Sequence, residues 1–201
     1  MILHGIFPTP VARFNLDREF TERELEFVLK QPQHNNEGNT TSDDNYVFNN
    51  IELKGLSDFC EASVATYLKE IYAPMKDVNL RITQSWLNYT KPGQWHHKHA
   101  HPNSFVSGVL YIKANKESDK IYFYRDGYKQ ISLPTENWNL YNSESWWFEA
   151  VAKELILFPS SLTHMVQTVQ GEDTRISLSF NTFPVGYVGD EKSLTGLHLR
   201  D

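Results

Sequence analysis

Four of the chain's eight histidines fall within six residues, in Trp95-His96-His97-Lys98-His99-Ala100-His101-Pro102. Neutral imidazole is a good ligand for Fe, Zn, Cu and Ni, so a cluster this dense points first to a metal. In extended backbone, residues two apart project to the same side. His97, His99 and His101 then share one face, with His96 and Lys98 on the other. Pro102 biases His101 toward β or polyproline geometry and keeps the backbone extended there. Two imidazoles from one strand end make half a site, and a third ligand has to come from elsewhere. A solvated histidine-rich loop is the other reading of the same cluster.

His164 is the distant candidate. It follows an apolar strand and a Pro-Ser turn in Leu155-Ile156-Leu157-Phe158-Pro159-Ser160-Ser161-Leu162-Thr163-His164. Beyond the turn Gly171-Glu172-Asp173, the run Arg175 to Asn181 alternates strictly. Arg175, Ser177, Ser179 and Asn181 share one face, and Ile176, Leu178 and Phe180 the other. An arginine on a polar strand face, one hairpin beyond a metal histidine, is suited to bidentate pairing with a carboxylate. The alternative is a surface strand with Arg175 in water.

Three pieces of the sequence now carry a resemblance. They are Ser85-Trp86-Leu87-Asn88; then His99-Ala100-His101-Pro102 followed by Ser107-Gly108-Val109-Leu110-Tyr111; then Leu157-Phe158-Pro159-Ser160 to His164, with Arg175-Ile176-Ser177 and Phe180-Asn181. In order and spacing they resemble the 2-oxoglutarate/Fe(II) oxygenase family known from bacteria and marine phages, itself distantly similar to prolyl 4-hydroxylases. The resemblance covers roughly residues 85 to 183, and Ile6-Phe7-Pro8-Thr9-Pro10-Val11 resembles the family's usual beginning.

The resemblance implies a double-stranded β-helix, a jelly-roll or cupin-like barrel that is mostly β with N-terminal helices packed outside. It implies that His99 and His101 bind iron from one strand end, with His164 as the distal ligand. It implies that Arg175 holds the distal carboxylate of 2-oxoglutarate, with Ser177 as the hydroxyl of an Arg-x-Ser pair. Tyr111 resembles the strand tyrosine that bonds the same carboxylate, and Asn88 is a candidate from a neighbouring strand. The reaction implied is oxidative decarboxylation of 2-oxoglutarate to succinate, using Fe(II) and O2, coupled to hydroxylation of a second substrate. Ascorbate is a candidate reductant.

This sequence departs from the wider superfamily at one chemical position. The usual triad is His-x-Asp/Glu…His, and here the middle residue is His101. The ligand set stays open between three histidines, two with water, and two with a carboxylate from elsewhere such as Asp126. Three neutral imidazoles would leave the metal more Lewis-acidic. Lys153-Glu154 stands where a glycine often precedes the Leu-x-Leu-Phe-Pro strand, and Thr168 where a proline is common. Two other functions use the same residues. One is a cupin-like dioxygenase that does not take 2-oxoglutarate and has no general need of Arg175 with Ser177. The other is a non-catalytic barrel, such as a phage-particle module, with zinc closed in by four ligands.

The elements that must position these groups follow from periodicity. Thr21 and Glu24 match a helix capping box, with Phe20 and Leu25 as a hydrophobic staple, and predict a helix to about Leu29. Leu56, Phe59, Cys60, Val64, Leu68, Ile71 and Tyr72 predict an amphipathic helix over 55–73. Short β-rich runs then follow at 79–90, 105–113, 120–125, 130–133, 145–151, 154–158, 164–169 and 174–183. Gly5 to Leu16 reads as an opening strand or arm. The segment from Gln31 to Asn50, rich in Asn, Thr and Asp, reads as a surface loop and a candidate lid. Trp146-Trp147-Phe148 is read as sheet packing or a substrate groove. One domain over 1–201 is expected, with helical support to 76, the barrel over 77–185 and a tail beyond.

Composition narrows the partners. The 201 residues carry a net charge of −6 without a Lys/Arg cluster, which argues against holding duplex DNA by its phosphates. A peptide, an amino acid or a small metabolite remains open as the prime substrate. Cys60 is the only cysteine, so a reducing compartment is expected. Met1 to Phe14 lacks the basic n-region of a signal peptide, and no apolar run reaches the roughly 18 residues of a membrane span. The expected location is the cytoplasm, that of the host if the chain is phage-encoded.

Overall fold

The computed structural model describes residues 1–75, 77–127, 131 and 133–200. In chain order the elements are β1 (Ala12–Asn15), α1 (Glu22–Lys30), β2 (Gln33–Asn35), β3 (Thr40–Ser42), α2 (Lys54–Tyr67), β4 (Val78–Thr90), β5 (His96–His99) and β6 (Val106–Lys113). They continue with β7 (Lys120–Tyr124), β8 (Ser145–Glu149), β9 (Glu154–Pro159), β10 (His164–Val166), β11 (Arg175–Val188) and β12 (Leu197–Leu199). The larger sheet runs β1-β9-β6-β11-β4-β3-β2, with β12 added to β11, and the smaller runs β5-β10-β7-β8. Every strand pair is antiparallel. This is the expected double-stranded β-helix, mostly β with two helices.

The large sheet is covered on both faces, so its central strands alternate between two cores rather than between core and water. Leu155 and Leu157 of β9, Leu110 of β6 and Leu178 and Phe180 of β11 pack with Leu56, Cys60, Val64 and Tyr67 of α2. Ile156 and Phe158, Val109 and Tyr111, and Ile121 and Phe123 of β7 fill the space between the sheets. Each such aliphatic side chain fully removed from water contributes about 1.5–3 kcal/mol. Gly108 of β6 faces the helical side with the Phe180 ring directly over it; a Cβ there would sit 2.2 Å from Phe180 Cζ. The glycine of the Ser-Gly-Val-Leu-Tyr run is thus a packing requirement.

Both helices form where expected. Thr21 Oγ1 accepts from the Glu24 amide at 3.2 Å, and the Thr21 amide donates to Glu24 Oε2 at 2.7 Å. Phe20 packs on the helical core, while Leu25 stays exposed. α2 passes into a π turn over Leu68–Tyr72 that ends at Ala73 in the left-handed region.

Three local expectations are corrected. The polar segment 31–50 is not a loop: β2 and β3 form a hairpin that extends the large sheet at β4, followed by 3-10 turns at Val47–Asn49 and Ile51–Leu53. Polar residues hold it through hydrogen bonds, among them Leu87 N to Ser42 Oγ and Phe48 N to Ser85 Oγ, both 3.0 Å. Val47 supplies the buried apolar anchor. β11 runs five residues past its expected end and takes up β12 from the tail. The strand expected at 130–133 falls partly on residues 130 and 132, outside the described residues, and Ile131 and Leu133 are not in a strand.

Candidate metal centre

His99 on β5 and His164 on β10 are directly opposed across the small sheet. His101 follows β5, its amide donating to the Ser160 carbonyl at 2.9 Å. One nitrogen each of His99, His101 and His164 lies within 4.8 Å of the others. The His99 ring sits 4.4 Å from His164 and 4.8 Å from His101, and His101 lies 5.1 Å from His164. His164 is buried against Phe158, at 4.7 Å, and Phe123, at 6.1 Å.

Two of these rings are fixed in the tautomer a metal needs. His99 Nδ1 lies 2.8 Å from the His97 carbonyl, and His164 Nδ1 lies 3.0 Å from the Leu162 carbonyl. A carbonyl only accepts, so each Nδ1 carries the proton and Nε2 keeps its lone pair. Burial and the neighbouring His99 push His101 down to about 4 and His164 down to about 3, and burial also lowers His99. The cluster is therefore uncharged at neutral pH, as ligation requires.

Among the described residues no carboxylate joins the cluster. Asp126 is exposed and accepts a bond from Thr163 Oγ1 at 3.3 Å. Of the readings left open for the middle position, the geometry brings together three histidines.

His96 was expected on the opposite face and is not there. Between the β5 and β10 pairings, His164 to Val166 on one strand spans His96 to His99 on the other. β5 thus carries one extra residue, a bulge that breaks alternation and re-aims side chains. The His96 ring stacks on His97 at 5.2 Å and on His99 at 4.9 Å. Lys98 keeps to the other side, its ammonium 3.8 Å from the Tyr124 ring.

Beyond Phe158 and Phe123 the inner core leads to Tyr111, which packs with them. Ser177 on β11 is directly opposite both Asn88 on β4 and Tyr111 on β6, so the three side chains line up across neighbouring strands. Arg175, two residues before Ser177 on the same face, is only 3% exposed. Its Nη1 donates to Asp119 Oδ1 and to the Gln167 carbonyl, both 3.1 Å. Asp119 is equally buried, and its second oxygen accepts from the Asn115 amide at 2.8 Å. Nη2 of Arg175 and the hydroxyl of Tyr111 are buried with no partner. Burial raises the Tyr111 phenol, which keeps it a proton donor. Asn88 donates to Ser179 Oγ at 3.0 Å, and its Oδ1 has no partner. Buried donors without acceptors are costly, and these two have the chemistry to receive a carboxylate such as that of 2-oxoglutarate.

The sequence did not single out Asp119. Nor did it single out the hydroxyl network behind His101. Ser160 Oγ lies 2.6 Å from Ser104 Oγ and 2.8 Å from Ser107 Oγ, and Ser107 donates to Asn181 Oδ1 at 2.8 Å. Ser107 stands in the second of the resembling pieces and Ser160 and Asn181 in the third, and the network gives them a common structural reason. Phe148 packs inward on β8, while Trp146 and Trp147 are partly exposed on this edge strand.

A double-stranded β-helix with a histidine triad anchored on the buried His164 and a buried arginine inside it has the make-up of a metal-dependent, oxygenase-type barrel. Residues 84–181 match the model of the family described as "Putative 2OG-Fe(II) oxygenase". The barrel of this chain is thus similar to that family, whose chemistry uses Fe(II), 2-oxoglutarate and O2. Solved structures agree on the fold. A 2OG-Fe(II) oxygenase family oxidoreductase from Burkholderia pseudomallei superposes with a TM-score of 0.57 at 13% identity, covering 80% of this chain and 75% of its own. HygX from Streptomyces hygroscopicus, solved with nickel, 2-oxoglutarate and hygromycin B, gives 0.59 at 10% identity over 87% and 82%. A Pseudomonas putida prolyl-4-hydroxylase gives 0.51 at 14% identity over 86% and 92%. No curated protein matches the chain in sequence. No helix among the described residues is long and apolar enough to cross a membrane.

Proposed function

We propose that this chain hydroxylates its substrate with iron held by His99, His101 and His164 and with 2-oxoglutarate anchored by Arg175, Tyr111 and Ser177. The observation that carries this reading is the pair of buried, unpartnered donors on Arg175 and Tyr111 in the same barrel as a neutral histidine triad. A cupin-like enzyme without 2-oxoglutarate has no use for them, and a structural zinc module has none either. When bound, Fe(II) supplies the O2 activation that couples decarboxylation of 2-oxoglutarate to hydroxylation.

The chain's residues do the rest. The Leu162 and His97 carbonyls hold two imidazoles in the ligating tautomer. Asp119 fixes one arm of Arg175, so Nη2 and the Tyr111 hydroxyl meet the far carboxylate together. Asn88 joins them only with its amide turned over, its oxygen then accepting from Ser179. Phe123 and Phe158 keep water from the buried side of His164. The whole chain, 1–201, acts as one oxygenase domain on a peptide, amino acid or small metabolite. Cys60 is a buried free thiol, in keeping with a cytoplasmic protein.

The test is spectroscopic. Fe(II) and 2-oxoglutarate mixed with the protein without oxygen should give the weak visible charge-transfer band of a chelated 2-oxo acid, and admitting oxygen should release succinate. A charge-assisted contact is worth about 1.5–3 kcal/mol. Arg175→Ala should therefore weaken 2-oxoglutarate binding roughly 10- to 150-fold and leave iron affinity near wild type. An unchanged 2-oxoglutarate dissociation constant in that variant would remove Arg175 from the reading.

A further inference from the structure

The five clustered imidazoles form two overlapping triads among the described residues. Beside His99, His101 and His164 there is a second group, His96, His97 and His99, whose ligand atoms also lie within 4.8 Å of one another. Its rings are 4.5 to 5.2 Å apart. It exists because of the β5 bulge, which brings His96 onto the side of its neighbours. The first triad includes the buried His164, whereas all three members of the second are half-buried.

Two orphaned atoms point to a ligand here. His97 Nδ1 is buried without a partner. His96 Nδ1 lies 3.3 Å from Asn39 Nδ2; with that amide turned over, Nδ1 carries the proton and Nε2 is left for an ion. Asn39 Oδ1 is itself buried without a partner. Turning that amide over sets an acceptor against Nδ1–H, the support that ligating histidines usually have. The β2–β3 turn holds Asn39 there, with Trp95 N donating to the Gly38 carbonyl at 3.1 Å. A Cβ on Gly38, at φ +87°, would sit 2.7 Å from the Trp95 carbonyl oxygen.

His99 belongs to both triads, but its Nδ1 is committed to the His97 carbonyl. It offers one nitrogen, and one nitrogen serves one ion. The two triads cannot be full together, so one ion occupies one or the other. We propose that His96, His97 and His99 form an outer loading station for a divalent first-row metal ion. The ion is taken from solution there and passes inward by exchanging His96 and His97 for His101 and His164, while His99 stays bound. Each step is ligand exchange with no change of oxidation state. The proposal rests on the inner triad being the working site, and it gives the β2–β3 hairpin a role in metal uptake.

Co(II) alone, followed by its visible ligand-field bands in metal-free protein, tests this without turnover. Wild type should bind one equivalent in two phases, a fast capture and a slower spectral change. His96→Ala/His97→Ala should still bind one equivalent but lose the fast phase. Asn39→Leu should slow that phase and leave the final spectrum unchanged. His101→Ala/His164→Ala should retain one weaker equivalent, which disappears when His97→Ala is added. Wild-type loading kinetics in His96→Ala/His97→Ala would overturn the proposal, and that comparison stands even if the His101/His164 variant fails to fold. A cooperatively melting His101→Ala/His164→Ala protein that binds no Co(II) would overturn it too and leave the inner site intact. Loss of the tight equivalent from His96→Ala/His97→Ala, with retention in His101→Ala/His164→Ala, would instead overturn the inner site as the working one.

Discussion

The two ends of the candidate site solve opposite electrostatic problems. At the metal end, imidazoles are packed ring against ring and kept neutral by burial. At the anion end, a full charge is buried from the start: Arg175 and Asp119 are both almost inaccessible and bonded at 3.1 Å. Neutral ligands cost little to hold together empty. A buried cation cannot be held without a counter-charge, and Asp119 supplies one while leaving Nη2 free. The metal end is poised by tautomer and the anion end by an internal ion pair.

That contrast orders the experiments. The largest effect belongs to the metal end: His99→Ala or His164→Ala should abolish stoichiometric Fe(II) binding while far-UV circular dichroism stays near wild type. Retained full affinity in either variant would take that residue out of the site. At the anion end the main casualty should be the fold. Asp119→Asn removes the counter-charge, and breaking a buried pair typically costs about 3–5 kcal/mol, measurable by urea unfolding. The uncompensated Arg175 should bind the 2-oxoglutarate carboxylate more tightly, so calorimetry should show stability and affinity moving in opposite directions. If both fall, Asp119 orients Arg175 more than it neutralises it.

The metal end also carries a pH signature. His101 and His164 have native values of about 4 and about 3, below the ordinary 6.5 they regain on unfolding. The unfolded chain therefore binds protons first as pH falls. Metal-free protein should be most stable above about pH 6.5 and lose stability progressively toward pH 4. His101→Ala should flatten this slope in urea melts. A pH-independent midpoint over that range would mean the imidazoles are not kept neutral by the fold.

The smallest effect concerns neither end. Lys153 adopts φ +70° in the turn before β9. A left-handed conformation costs a residue with a Cβ about 1–2 kcal/mol, partly offset by the chain entropy a glycine gives up. Lys153→Gly should raise stability by about 1 kcal/mol in thermal melts and leave both ends of the candidate site untouched.

Legibility differs between the ends for the same physical reason. Metal ligands are few in type and here mostly local, so spacing brought His97, His99 and His101 forward together, the family resemblance singled out His99 and His101, and strict alternation brought Arg175. Asp119 lies in Lys116-Glu117-Ser118-Asp119, which reads as any solvated turn; only the pairing of β7 and β11 with their neighbours buries it. The place of His96 was lost because a one-residue bulge leaves no mark in composition. The β2–β3 hairpin was missed because hydrogen bonds rather than apolar periodicity hold it. Helices and long strands were legible from hydrophobic pattern, but the burial of Arg175, Ser177 and Ser179 on the second face of β11 was not, because that polar face reads equally as solvated.

β11 pairs with β4 on one side and β6 on the other, and it carries Arg175 and Ser177 at its start. Contacts between segments far apart in sequence form slowly, because chain closure must precede their reward. Until β11 docks, α2 has no Leu178 or Phe180 to cover and the barrel has no internal cation. A chain whose β6 and β9 are paired but whose β11 is undocked therefore lacks the buried cation. Sealing the core over α2 and placing Arg175 inside the barrel depend on the same strand.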